Sequence, residues 1–111
     1  MKKIIFLVIM LCVEPVLAQT PNNNETVVIL HGIALTSKSM ASVEKALQKE
    51  GYNTLNITYP SQKKNLEDLA QFLKKNKLTD DFWNGTNKVH FVTHSMGGSV
   101  TRTYLDAYKK E

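Results

Sequence analysis

Thr93-His94-Ser95-Met96-Gly97-Gly98, with the apolar run Val89 to Val92 before it and a helix-patterned segment from Val100 to Lys110 after it, decides the fold of this chain. The stretch reads as strand, sharp turn and helix, with a serine at the apex. Turning a buried strand into a helix within a few residues strains the apex backbone and requires small neighbours, so that the two elements can close together. Gly97 and Gly98 supply that room. Such a turn pushes the Ser95 hydroxyl into solvent at the carboxyl end of the sheet, beside backbone N–H groups and the positive end of a helix. A nucleophile whose attack creates an oxyanion needs that setting. The competing reading of Ser95 is that of a helix cap, a common place for serine.

A second stretch points to the same centre. Val27-Val28-Ile29-Leu30 is continuously apolar, the pattern of a parallel strand covered on both faces, and it ends in His31-Gly32-Ile33. The run Val-Thr-His-Ser-Met-Gly-Gly resembles the nucleophile elbow of α/β-hydrolase lipases and esterases, with Thr93 standing where the first glycine of Gly-x-Ser-x-Gly is expected. The resemblance covers about Val27 to Tyr108 and is strengthened by His31-Gly32, since in that family an apolar strand ending in His-Gly precedes a loop donating one oxyanion-hole N–H. It implies Ser95 as nucleophile and the backbone N–H groups of Ile33 and Met96 as the oxyanion hole, with His31, Gly32, His94, Gly97 and Gly98 in support. The implied substrates are carboxylic esters, lipid esters foremost. Neither cofactor nor metal is implied.

The resemblance supplies no acid and no base. In the family the order along the chain is serine, acid, histidine, but all three histidines here, His31, His90 and His94, precede Ser95. Side chains of consecutive residues at a strand end diverge, so His94 is expected to pack or hydrogen-bond beside the turn instead of serving the hydroxyl. His31 is expected to brace the oxyanion loop through a backbone hydrogen bond, and His90 to be a satisfied core residue. Asp106 falls inside the last helix, away from an orienting position. The family's domain is usually more than twice as long, and the strands after the elbow helix carry the missing groups. The chain therefore resembles the amino-terminal half of such a hydrolase. Loss of a triad costs on the order of 10⁶ in turnover, so the 93 residues after the leader are expected to be a very poor esterase. Two alternatives share this pattern: an acyltransferase or thioesterase of the same fold, and an inactive half-fold that binds lipid or a partner. A flavodoxin-like binding domain fits the alternation of elements but leaves His31-Gly32 and Ser95 unexplained.

The first residues read as a secretory leader: Lys2 and Lys3, the apolar stretch Ile4 to Val13, then Val16-Leu17-Ala18 as a small-residue cleavage signal. Cleavage after Ala18 predicts a secreted or periplasmic protein. Met10 and Leu11 are too bulky for a lipoprotein signal at Cys12, and the cut removes this only cysteine, so packing must supply the stability. The net charge of +4 becomes +3 without Lys2, Lys3 and Glu14. Its lysines are scattered over presumed helix surfaces with no aromatic interleaving, which argues against a nucleic-acid partner. Membrane contact would rest on an exposed Phe82-Trp83 pair, for which packing against the core is the commoner fate. Asn24-Glu25-Thr26, Asn56-Ile57-Thr58 and Asn84-Gly85-Thr86 match the glycosylation pattern, but the double-lysine start looks bacterial and they carry no weight.

The remaining elements follow in order. Residues 19–26, rich in Thr, Pro and Asn, are expected to be a mobile mature terminus. Met40, Val43, Ala46 and Leu47 recur at helical spacing and predict a helix over Ser39 to Lys49, stopped at Gly51. Tyr52 to Tyr59 alternates, with Leu55, Ile57 and Tyr59 on one face, as in a strand at the sheet edge closed by Pro60. Asn65 and Asp68 signal the start of a helix running to about Lys75, buried along Leu66, Leu69, Ala70 and Leu73. Asn76 to Asn87 reads as turn-rich, and the last helix as buried along Met96, Val100, Tyr104 and Ala107. The predicted class is α/β: a partial α/β-hydrolase fold of three parallel strands in the order second, first, third, flanked by helices in an incomplete three-layer arrangement.

Overall fold

The computed structural model describes the backbone of residues 4–8 and the whole of residues 24–109. The expected cleavage site and residues 19–23 of the terminus expected to be mobile lie outside the described residues, while Glu25 and Thr26, the last two of that stretch, are instead the start of a strand.

A parallel sheet of order β1-β4-β2-β3 is built from β1 (Ile4–Val8), β2 (Glu25–Leu30), β3 (Asn53–Ile57) and β4 (Lys88–Thr93). Between and after the strands come a 3₁₀ turn (Ser37–Met40), α1 (Ala41–Lys49), α2 (Leu66–Asn76), α3 (Asp80–Asn84) and α4 (Met96–Tyr108). The chain is thus α/β. Leu30 pairs with Thr93 on one side and Ile57 on the other, so the most apolar strand is central and the predicted order β3-β2-β4 is present.

Two opposite steps across the sheet place the helices on opposite faces. The β2-to-β3 and β3-to-β4 connections run in opposite directions, and right-handed crossovers then send α1 to one face and α2 to the other. Strand alternation divides the core accordingly. Val28, Leu30, Val89 and Phe91 pack with Leu69, Leu73, Val100 and Tyr104 from α2 and α4, while Val27, Ile29 and Val92 pack with Met40, Val43 and Leu47. Each such apolar side chain fully removed from water contributes about 1.5–3 kcal/mol, which explains why Val27 to Leu30 of β2 is apolar on both faces.

Local chemistry fixes the element ends. Asn65 Oδ1 accepts from the Asp68 amide at 2.8 Å and starts α2, and Thr79 Oγ1 accepts from the Phe82 amide at 3.3 Å and starts α3. Gly51 takes φ 96° just after α1, so that its amide and that of Tyr52 return to the Gln48 and Leu47 carbonyls.

Several expectations are corrected. The helix predicted from Ser39 begins earlier, as a 3₁₀ turn at Ser37, because Thr36 accepts from the Lys38 amide and tightens that turn. β3 is shorter than Tyr52 to Tyr59, since Thr58 and Tyr59 leave the ladder to make contacts at the sheet's carboxyl end. The stretch read as turns contains α3; within it Trp83 is buried with Phe82 packed beside it, the packing against the core expected of this pair. The last helix starts at Met96. Its inward stripe passes from Tyr104 to the half-buried Tyr108, leaving Ala107 exposed, because the four-residue step follows this contact line better than the three-residue one.

Ile4–Val8, read as the apolar part of a leader, pairs in register with β4 from Ile4 opposite Val89 to Val8 opposite Thr93. The sheet therefore has a fourth strand. An unpaired edge of β4 would leave a row of amides and carbonyls without partners, and a β-branched apolar segment satisfies them.

Candidate active site

The end of β4 passes into α4 through a single strained residue. Ser95 has φ 53° and ψ −119°, a conformation costing a non-glycine residue about 1–3 kcal/mol. It occupies the cap position of α4, yet its side chain makes no capping hydrogen bond and is exposed. The turn is held by backbone alone: the Gly97 amide donates to His94 O and the Gly98 amide to Ser95 O, both at 3.0 Å. The helix-cap reading of Ser95 is thereby excluded. Among the described residues the hydroxyl makes no capping bond, at the positive end of a 13-residue helix.

Two glycines let the end of β2 meet this turn. A Cβ on Gly97 would lie 2.8 Å from Leu30 O and 3.0 Å from His31 O, so α4 packs directly against the β2 backbone. A Cβ on Gly32 would lie 2.7 Å from His94 Nδ1 and 3.4 Å from Ser95 Cβ. The His94 amide completes the seam by donating to Leu30 O at 3.1 Å. Gly98 is buried in the same first turn of α4.

The loop after β2 is pinned around its free amide. Leu35 N–H closes a turn onto Gly32 O at 3.3 Å, and Ala34 within it has φ 63°. A positive φ at the third position alone is the type II pattern, in which the second residue, here Ile33, keeps its N–H outside the turn's own hydrogen bond. Ala34 N–H donates to the buried Ser61 Oγ at 2.9 Å, and Ser37 N–H to Thr58 Oγ1 at 3.0 Å. Among the described residues no hydrogen bond engages the amide of Ile33 or of Met96, the first residue of α4.

His31 does brace this loop, from a fully buried position. Its Nδ1–H donates to Gly32 O at 2.7 Å and its Nε2 accepts from the Tyr59 amide at 3.2 Å, which fixes a neutral tautomer. Tyr59 stacks on the ring at 4.1 Å and donates its hydroxyl to His31 O. Burial lowers the imidazole pKa and raises that of the Tyr59 hydroxyl to about 12, so both stay neutral near pH 7.

The other candidate residues separate clearly. His94 is half-buried against Gly32. His90 lies toward the amino end of the sheet, where its Nε2–H donates to Glu25 Oε1 at 2.8 Å and its ring meets the edge of Tyr52. Asp106 is exposed on α4. Thr93, in the glycine position of the motif, is fully buried on the side of Val89 and Phe91, with its hydroxyl unpartnered among the described residues. Tyr59 and Ser61 were not singled out from sequence. Their signal was two hydroxyl residues flanking Pro60 where a strand stops at the ligand-facing edge of the sheet.

With this geometry in place, comparison with known proteins adds nothing: no family model, no curated protein and no solved structure matches the chain.

The neutral, buried His31 predicts an acid sensitivity. The unfolded chain takes up a proton near the ordinary value of 6.5, whereas the folded imidazole resists it until lower pH. The contribution of His31 is therefore constant above about pH 6.5 and is lost as pH falls below it. Urea midpoints measured from pH 8 to 5 should show this decline in the native chain and a flatter profile in His31→Gln. An identical slope in both would refute the assignment. Glu25, its carboxyl held low chiefly by the hydrogen bond from His90, adds a separate loss only below 4.5.

Proposed function

We propose that this chain carries the nucleophile and oxyanion hole of a secreted serine esterase or lipase of the α/β-hydrolase type, acting on carboxylic esters. The observation that carries this reading is the strained, exposed Ser95 whose hydroxyl makes no capping bond, followed by the Met96 amide and packed against Gly32, which precedes the Ile33 amide, both amides being unengaged among the described residues. In the proposed reaction the Ser95 Oγ attacks the ester carbonyl carbon. Negative charge collects on the carbonyl oxygen, where the Ile33 and Met96 N–H groups and the α4 terminus would receive it. Removing one such donor costs other enzymes about 10²–10³ in rate, so the pinned loop is a substantial part of the machinery. A leader cut after Ala18 would deliver the chain to an extracellular or periplasmic compartment, and would take β1 with it, leaving the strands β4, β2 and β3.

The described histidines do not complete a triad. Both ring nitrogens of His31 are engaged within the loop, His90 is tied to Glu25, and His94 packs on Gly32. Residues 1–111 are therefore expected to turn over esters on the order of 10⁶ more slowly than a complete triad would. Covalent labelling at pH 9, where hydroxide takes the hydroxyl proton in place of the missing base and fluoride leaves, tests the nucleophile without requiring turnover. A fluorophosphonate incubated with the chain should modify Ser95, read by peptide mass mapping, and the adduct should vanish in Ser95→Ala. Modification spread over other serines instead would remove the basis for the proposal.

A further inference from the structure

Ala34 has φ 63° and is exposed, so side-chain packing does not enforce that left-handed conformation. The turn it belongs to is closed by Leu35 N–H on Gly32 O at 3.3 Å, and a type I turn would keep the same bond with both central residues at negative φ. The two forms differ by a rotation of the Ile33–Ala34 peptide, and the observed one is the more strained for alanine. The compensating contact comes from 27 residues further on, where Ser61 Oγ accepts from Ala34 N–H at 2.9 Å. Ser61 is itself placed by its own segment: its N–H returns to Tyr59 O at 2.8 Å across Pro60, and Lys63 N–H donates to Pro60 O at 3.2 Å. Its hydroxyl is thus a fixed acceptor in a buried place.

We propose that Ser61 is a positioning residue of the Ser95 site, its hydroxyl latching the 32–35 turn in the strained form that holds the Ile33 amide where the oxyanion forms. The inference rests on the reading of Ser95 as nucleophile and of Ile33 as a donor. An oxyanion donor serves only within about 2.7–3.1 Å of the developing charge, and a turn trading between two forms meets that demand in one of them. Ser61 acts through Ala34 and touches no reacting atom. Without the hydroxyl, Ala34 N–H loses its acceptor and the Ile33–Ala34 peptide rotates, which returns alanine to negative φ and reverses the peptide dipole next to the donor. Glycine at position 34 takes positive φ without steric cost, so it keeps the turn even when the latch is gone.

An ethyl fluorophosphonate and the matching fluorophosphonothioate, with sulfur in place of the phosphoryl oxygen, test this on the full chain at pH 9. In either reaction the Ser95 Oγ–phosphorus bond forms, the phosphorus–fluorine bond breaks, fluoride leaves and hydroxide takes the hydroxyl proton. Sulfur is a weak acceptor, so N–H groups set for an oxyanion favour the oxygen reagent. The readout is the ratio of oxygen to sulfur labelling rates at the Ser95 peptide, at a temperature where circular dichroism shows each variant folded. In the native chain it should exceed the ratio for hydroxide in free solution by about tenfold or more. It should fall toward the solution value in Ser61→Ala and recover when Ala34→Gly is added to Ser61→Ala. A native ratio no higher than in solution, a ratio untouched by Ser61→Ala, or one that Ala34→Gly fails to restore would overturn the latch and leave Ser95 as nucleophile. No adduct at Ser95 with either reagent would overturn the nucleophile itself, and the latch with it.

Discussion

Gly97→Ala is expected to cost about 2–3 kcal/mol, because the added carbon must displace backbone instead of a side chain. The nearest atoms to that Cβ are Leu30 O at 2.8 Å and His31 O at 3.0 Å, carbonyls at the end of the central strand. Neither can rotate aside. The first turn of α4 must lift away from β2, which opens the seam that holds the Ser95 turn against the 31–35 loop. For a domain of this size the loss corresponds to a fall in Tm of roughly 10–20 °C. Thermal melts by circular dichroism give the comparison, with Ser99→Ala, an exposed position two residues on, as the control. A Gly97→Ala chain melting within two or three degrees of the native one would show that the helix terminus is far looser than its packing indicates.

Trp83→Ala is expected to be more damaging still, at about 3–5 kcal/mol, since it empties the space of the largest side chain in the core. Trp83 packs near Phe91, and its Nε1–H donates to Tyr104 Oη at 2.7 Å; Tyr104 in turn donates to Leu78 O at 2.9 Å. This relay ties α3, α4 and Leu78, in the turn after α2, together inside the core. Tyr104→Phe separates the polar contribution from the volume. It keeps the ring but strands a buried indole N–H and a carbonyl, at about 1–3 kcal/mol. Urea unfolding of both variants gives the two numbers. If Tyr104→Phe matched the native midpoint, the relay would be incidental and Trp83 would act through bulk alone.

These two predictions mark where sequence reading succeeds and where it stops. Gly97 and its role were legible because the Thr93 to Gly98 run leaves a strand and a helix no other way to join. The sheet order followed from the polarity of individual strands, with Val27 to Leu30 requiring cover on both faces and residues 53–57 tolerating an edge. The Trp83 relay was invisible. Asn76 to Asn87 has no periodicity long enough to show α3, and its single turn of helix exists because Thr79 caps it and Trp83 is held by Tyr104, 21 residues later. Ala107 was misplaced for a related reason: helical spacing permits position 107 or 108, and only the neighbour packed against α4 chooses.

What the sequence determined by itself is the set of local necessities: a tight strand-to-helix turn at Ser95, a central apolar strand ending in His31-Gly32, and caps at Asn65 and Gly51. Each is dictated by sterics or hydrogen bonding within a few residues. The tertiary structure alone decided which groups those necessities bring together. Tyr59 and Ser61 brace a loop 25 to 30 residues earlier, Ser95 is freed from capping, and Ile4–Val8 lies along β4. Such contacts join segments whose spacing carries no mark of their meeting, because a buried hydrogen-bonding group takes whichever partner the packed sheet presents to it.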